Sequence, residues 1–199
     1  MSDMAACAAV VLMVFGIGCR AESDSAIGFT RADTSQQIAQ PKQPVKSQRG
    51  STSQQVGSVW IAIDYSRPVA RGRALFGSLV PYDQPWNPGA NRATRIQVTG
   101  DVEVDGKRLA GNNYSIWMIP RTDEWTVIFS TVANSDHQPY PGPATDALRV
   151  NVTPQRGAHL ETLTFYFPVV DGNRAELRMH WGEIFVPIRI EVIAPQQPK

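Results

Sequence analysis

The chain reads as an all-β protein: an antiparallel β-sandwich of about nine short strands carrying one long Pro/Gly/Arg-rich loop. Three observations predict this. Apolar residues recur at a period of two through most of residues 54–194, turn signals separate the alternating runs, and no convincing amphipathic helix interrupts them. In the first run Val59, Ile61, Ile63 and Tyr65 alternate with Trp60, Ala62 and Asp64, the pattern of a half-buried strand. Residues 96–98 and 102–104 follow, with Asp105-Gly106 as a tight turn. Residues 114–119 (YSIWMI) end at Pro120, Asp123-Glu124 occupies the next turn, and residues 125–129 (WTVIF) return. Leu148, Val150 and Val152 alternate again. Residues 163–170 (LTFYFPVV) reach an Asp171-Gly172-Asn173 turn, after which Ala175, Leu177, Met179 and Trp181 alternate and residues 184–193 close the domain. Pro168 and Pro187 inside these runs predict edges or bulges, because proline cannot donate to a ladder. The single candidate helix is short, around residues 74–79.

The N-terminal quarter has a different character. Residues 5–17 (AACAAVVLMVFGI) form an apolar run of about a dozen residues, too short to span a bilayer and suited to a signal h-region. The run ends in Gly16-Ile17-Gly18-Cys19, which resembles a bacterial lipobox, so residues 1–19 read as a lipoprotein-type signal peptide with Cys19 as the lipidated residue. An ordinary cleaved signal peptide is the alternative. Residues 20–53 are rich in Ser, Gln, Ala, Asp, Arg and Pro, and they read as a flexible tether that cannot bury enough surface to offset its ordering entropy. The β-domain is then expected over residues 54–194, with residues 195–199 as a tail. The expectation is an exported protein of the cell envelope, periplasm-facing and attached to the membrane through Cys19.

Composition excludes several chemistries. The two cysteines are Cys7 and Cys19, so the domain has no structural disulfide, thiolate metal site or cysteine nucleophile. A formal net charge of +1 argues against a nucleic-acid partner. His137, His159 and His180 lie far apart without His-x-x-His spacing, so no metal or cofactor is expected. His180 precedes Trp181 in a strand, on the face opposite Met179 and Trp181, and reads as a solvated or capped histidine. Asp101, Glu103 and Asp105 alternate into a hairpin; a calcium site is one reading, and an exposed strand face is the commoner one. No Gly-x-Ser-x-Gly elbow, Walker loop or dinucleotide fingerprint occurs.

The most individual segment is the loop over residues 64–91 (DYSRPVARGRALFGSLVPYDQPWNPGAN), dense in proline, glycine, arginine and aromatics. Its Tyr65-Ser66-Arg67-Pro68, Arg71-Gly72-Arg73, Leu75-Phe76-Gly77-Ser78-Leu79-Val80-Pro81-Tyr82, Trp86 and Gly89-Ala90-Asn91 resemble the signature of the bacterial Domain of Unknown Function 2911 family. Ala110-Gly111 with Tyr114-Ser115 and Ile119-Pro120, then Trp125-Thr126-Val127-Ile128-Phe129, then residues 177–187, extend the resemblance over residues 51–192. It implies exported or lipid-anchored β-sandwiches without an assigned activity. One departure is local: where the family pattern reads WRTGAN, this chain has Trp86-Asn87-Pro88-Gly89-Ala90-Asn91.

Arg67, Arg71, Arg73, Arg92 and Arg95 cluster in sequence against Asp64 and Asp83, with Tyr65, Tyr82 and Trp86 nearby. Guanidinium forks bind carboxylate or phosphate, and aromatic faces stack on sugars or cations, so Tyr65, Arg67, Arg71, Arg73, Tyr82, Trp86 and Asn91 are the candidate ligand-binding residues. The alternative reading of the same residues is packing: arginines satisfying the loop's own carbonyls and aromatics closing the mouth of the sandwich. The expected function is binding of a small ligand, a glycan or an envelope partner. A hydrolase-type enzyme with a pocket at this loop, using His180 or His137 beside a carboxylate and a nucleophile, is the alternative. A structural envelope protein is a third.

Overall fold

Backbone pairing turns the period-two pattern into ten strands, described over residues 46–193 of a computed structural model. The expected signal peptide with Cys19, most of the expected tether and the expected tail lie outside the described residues. β1 (Gln48–Val56), β2 (Val59–Arg67), β3 (Arg95–Val98), β6 (Asn112–Ile119), β7 (Trp125–Ser130) and β8 (Asp146–Val152) form one antiparallel sheet, in the order β1-β2-β3-β6-β7-β8. β4 (Val102–Val104), β5 (Lys107–Leu109), β9 (Gln155–Asp171) and β10 (Arg174–Val192) form the second, in the order β5-β4-β10-β9. The inner faces enclose Ile61, Ile63, Ile96, Ile116, Phe129, Phe165, Leu177 and Ile188, all essentially without solvent exposure. An aligned pair of sheets with alternating inward residues is a β-sandwich.

Several boundaries differ from those the sequence suggests, each for a physical reason. Gln48 to Ser53 were expected in the tether and instead form most of β1, pairing in register with β2 from Gln48 opposite Arg67 to Val56 opposite Val59. An edge strand held by backbone ladder bonds needs little apolar side-chain content, so its composition resembled a linker. Residues 74–79 are not helical: Leu79 N–H donates to the Ala74 carbonyl, and Val80 N–H to that of Leu75, closing a compact turn. β9 and β10 are 17 and 19 residues long rather than short. The expected break between Trp181 and Ile184 is a bend within β10, at Gly182. Pro168 sits where the β9–β10 register shifts, and Pro187 lies between the β10 segments paired with β9 and with β4, so neither proline interrupts a ladder.

A seam joins the sheets. Beyond Arg67 the chain leaves the first sheet and runs along β9: Leu163 N–H donates to the Pro68 carbonyl (3.0 Å) and Ala70 N–H to that of Glu161 (2.7 Å). Arg67 reinforces the crossing, its guanidinium donating to the Leu163 carbonyl and to Thr164 Oγ1.

Gly182 has φ 61°, and a Cβ built there would lie 2.8 Å from Leu75 Cδ1 of the long loop. Substituting Gly182→Ala is expected to cost at least the roughly 1–2 kcal/mol of a left-handed L-residue, plus displacement of Leu75. Urea unfolding checks this; an unchanged midpoint would contradict the assigned bend.

Candidate functional site

The long loop is built around an aromatic plug. Phe76 packs edge-on against Trp86, Trp125 and Trp181, with centroids 5.9, 4.8 and 6.3 Å away, and Trp86 stacks on Trp181 at 6.1 Å. Trp86 is also fixed by its backbone, exchanging 2.8 Å hydrogen bonds with Met118 of β6. Next to it, buried Asn87 replaces the missing rungs of the sheet. Its Nδ2 donates to the Ile116 carbonyl at 2.7 Å and its Oδ1 accepts from Thr94 N–H at 3.0 Å. Asn87 is one of the positions at which the chain departs from the WRTGAN pattern, and a side chain with both donor and acceptor fits there.

Most of the seven candidate binding residues are therefore structural or dispersed. Tyr65 is buried, its ring edge-on to Phe165 and its hydroxyl accepting from Phe165 N–H. Arg67 holds the seam, and Arg73 donates to the Val69 and Ala70 carbonyls of its own loop. Trp86 is part of the plug. Arg71, at φ 54°, donates its backbone N–H to Glu161, and Tyr82 lies exposed against Gly77. Asp83 pairs with Arg121.

Two of the seven, Tyr65 and Asn91, line a cleft of about 290 Å³ elsewhere, together with Arg92 and Arg95 from the predicted arginine cluster. Tyr65 belongs to its floor although its ring points into the core. Ser47 just before β1, Arg49 at its start, Asp64 and Ser66 of β2, and Ala133 to Ser135 after β7 complete the lining. The wall is stitched by Ala93 N–H to the Ser135 carbonyl (3.0 Å) and His137 N–H to the Asn91 carbonyl (3.2 Å); His137 Nδ1 also meets that carbonyl at 2.8 Å. Asn91 takes the left-handed conformation (φ 66°) that turns this carbonyl towards His137.

Charge in the cleft is unbalanced. Three guanidiniums face one carboxylate, and Asp64 is already paired with Arg95 at 3.0 Å. Among the described residues Arg49 and Arg92 have no ion pair and no side-chain hydrogen bond, and Ser135 Oγ is a buried polar atom without a partner. Sequence reasoning missed Arg49, Asn134 and Ser135. Arg49 looked like tether, and no motif marks residues 133–135.

Among the described residues, the expected pairing of His180 or His137 with a carboxylate is not formed. His180 is buried rather than solvated, with Nε2 against the Ala158 carbonyl (3.1 Å) and Nδ1 against the Tyr166 hydroxyl (3.3 Å). Neither it nor His137 hydrogen-bonds a carboxylate, and the pair that does form, His159–Glu161, is exposed. Asp101 accepts from Gly111 N–H and Arg108, while Asp105 pairs with Arg189; among the described residues no three potential ligands converge on a metal position.

The family model described as "Protein of unknown function (DUF2911)" matches residues 47–190. The chain belongs to the DUF2911 family. No curated protein and no solved structure matches it. The match begins at Ser47, so this DUF2911 domain includes β1 and with it the Arg49 side of the cleft.

Two predictions follow from these placements. Trp86→Ala should destabilise the domain by about 3 kcal/mol through loss of packing, whereas Arg71→Ala should stay within about 0.5 kcal/mol, as read by urea midpoints. Burial is the main cause that lowers the His180 pKa below its ordinary 6.5, with nearby Arg178 acting in the same direction. The folded state thus favours neutral His180, and the stability this contributes is present above pH 6.5 and lost as pH falls through the lower folded value. The drop in urea midpoint between pH 7.5 and pH 5 should shrink in His180→Gln; an equal drop would assign the acid sensitivity to other groups.

Proposed function

We propose that this protein is an exported, lipid-anchored β-sandwich that binds a small anionic ligand in the cleft between β1, β2 and the 91–95 and 133–135 segments. The observation that carries the reading is the pair of guanidiniums, Arg49 and Arg92, that line one cleft without an anionic partner among the described residues. Planar guanidiniums match carboxylate and phosphate oxygens bidentately, and such charge-assisted bonds are roughly twice as strong as neutral ones. Asn91 and Asn134 add amides to the lining. The cleft volume of about 290 Å³ suits a compact ligand.

Export and anchoring rest on the apolar run at residues 5–17 followed by Cys19, with residues 20–47 left as the tether once β1 is counted in the domain. A single acyl chain binds membranes only marginally, so stable anchoring takes the multiple chains of a lipoprotein N-terminus.

A thermal-shift titration of the full chain with citrate, phosphate and glucuronate tests the site. A ligand at a hundred times its dissociation constant adds about 2.7 kcal/mol, which raises the midpoint by several degrees. Arg92→Ala and Arg49→Ala should abolish the shift and Arg71→Ala should retain it. A shift indifferent to Arg49 and Arg92, or lost with Arg71, would move the site away from this cleft.

A further inference from the structure

The outer face of the six-stranded sheet is divided in two. Over β6–β8 it is covered: Trp117, Ile119 and Ile128 form a second apolar cluster capped by Tyr140, and Ser115 Oγ donates to the Val132 carbonyl of the covering segment. Over β1–β3 and the start of β6 it is open. The register places Gln55 opposite Trp60 in one row, then Ser53, Ala62, Gln97 and Asn113 in the next. The third row is Ser51, Asp64 and Arg95, with Ser115 next to it under the covering segment, and Arg49 opposite Ser66 ends the series at the cleft. None of these outward positions is Lys or Glu, the residues that ordinarily solvate an exposed strand face. Trp60 is instead 45 % exposed, and Ser51, Ser53, Gln97 and Asn113 are exposed with no side-chain hydrogen bond among the described residues.

Amides and hydroxyls present paired donors and acceptors that match vicinal hydroxyl groups, and an exposed indole offers a stacking face. The small Ala62 beside Trp60 leaves room over the strand between them. From Trp60 to Ser66 the face runs about 20 Å at the rise of a β-strand, longer than one sugar ring. Its far end carries the excess positive charge of Arg49 and Arg92, Arg95 being paired with Asp64.

Resting on the anion-binding reading of the cleft, we infer that the ligand is an acidic oligosaccharide laid along β2. Its carboxylate enters the Arg49–Arg92 cleft, its hydroxyls bond Gln97, Asn113 and Ser53, and a further ring stacks on Trp60. Charge complementarity selects an acidic chain over a neutral one, and the polar rows select a polyol over a simple anion.

Calorimetric titration of the full chain with galacturonate, trigalacturonate, a hyaluronan tetrasaccharide and cellotriose tests this. At least one acidic oligosaccharide should bind about tenfold or more tighter than galacturonate, and cellotriose should bind more weakly than either. Trp60→Ala and Gln97→Ala should bring the acidic chain down to the monosaccharide's affinity while leaving galacturonate affinity and the melting temperature unchanged. Affinity independent of chain length, or untouched by both substitutions, overturns the inference while citrate or galacturonate binding would leave the cleft standing. Cellotriose binding as tightly as the acidic chains also overturns it. Silence of both acidic chains together with citrate and phosphate overturns the inference and the cleft reading alike.

Discussion

Everything distinctive about this sandwich depends on Phe76 standing among three tryptophans. Trp86 comes from the same loop, Trp125 from β7 of one sheet and Trp181 from β10 of the other, so one ring ties the loop to both layers. Edge-to-face pairs are worth about 0.5–1.5 kcal/mol each beyond burial, and three share this ring. The plug closes the mouth of the sandwich, and the same loop then spends Arg67 and Arg73 on backbone carbonyls. Where the loop rejoins the sheet, Asn91 and Arg92 line the cleft together with Arg95 of β3.

The cleft differs from the plug in how its polar groups are left. Within the plug region each buried polar group has a partner: Asn87 bridges Ile116 and Thr94, and Thr94 Oγ1 donates to the Pro88 carbonyl. In the cleft two guanidiniums and a buried hydroxyl remain unspent among the described residues. The Arg95–Asp64 pair does not offset that, because both side chains are near 40 % exposed and such pairs contribute about 1 kcal/mol at most. The cleft is thus a partly enclosed positive site at the end of a polar sheet face on which Asp64 and Arg95 neutralise each other.

The fold was legible because apolar alternation is enforced by two buried sheet faces. Val59, Ile61 and Ile63 face the core, and so do Leu177 and Met179. What stayed hidden follows from the same physics. β1 pairs through its backbone while its outward side chains are Arg49, Ser51, Ser53 and Gln55, so no apolar signal separated it from the tether. The turn over residues 74–80 sets Leu75 and Phe76 four residues before Leu79 and Val80, a spacing that mimics a helix face, but Leu75 and Phe76 are anchors held by tertiary packing. Of the arginines close in sequence, only Arg92 and Arg95 converge, since separating the others takes a chain reversal that composition does not encode. Arg49 and Ser135 reach the cleft from segments distant in sequence, and spacing along the chain carries no trace of that.

The most direct test of this account is a map of backbone amide chemical shifts in the full chain on addition of glucuronate. The account predicts that the perturbed amides gather at residues 47–49, 64–66, 91–95 and 133–135, with residues 71–82 silent. Perturbations concentrated at residues 71–82 would contradict it and restore the long loop as the binding element.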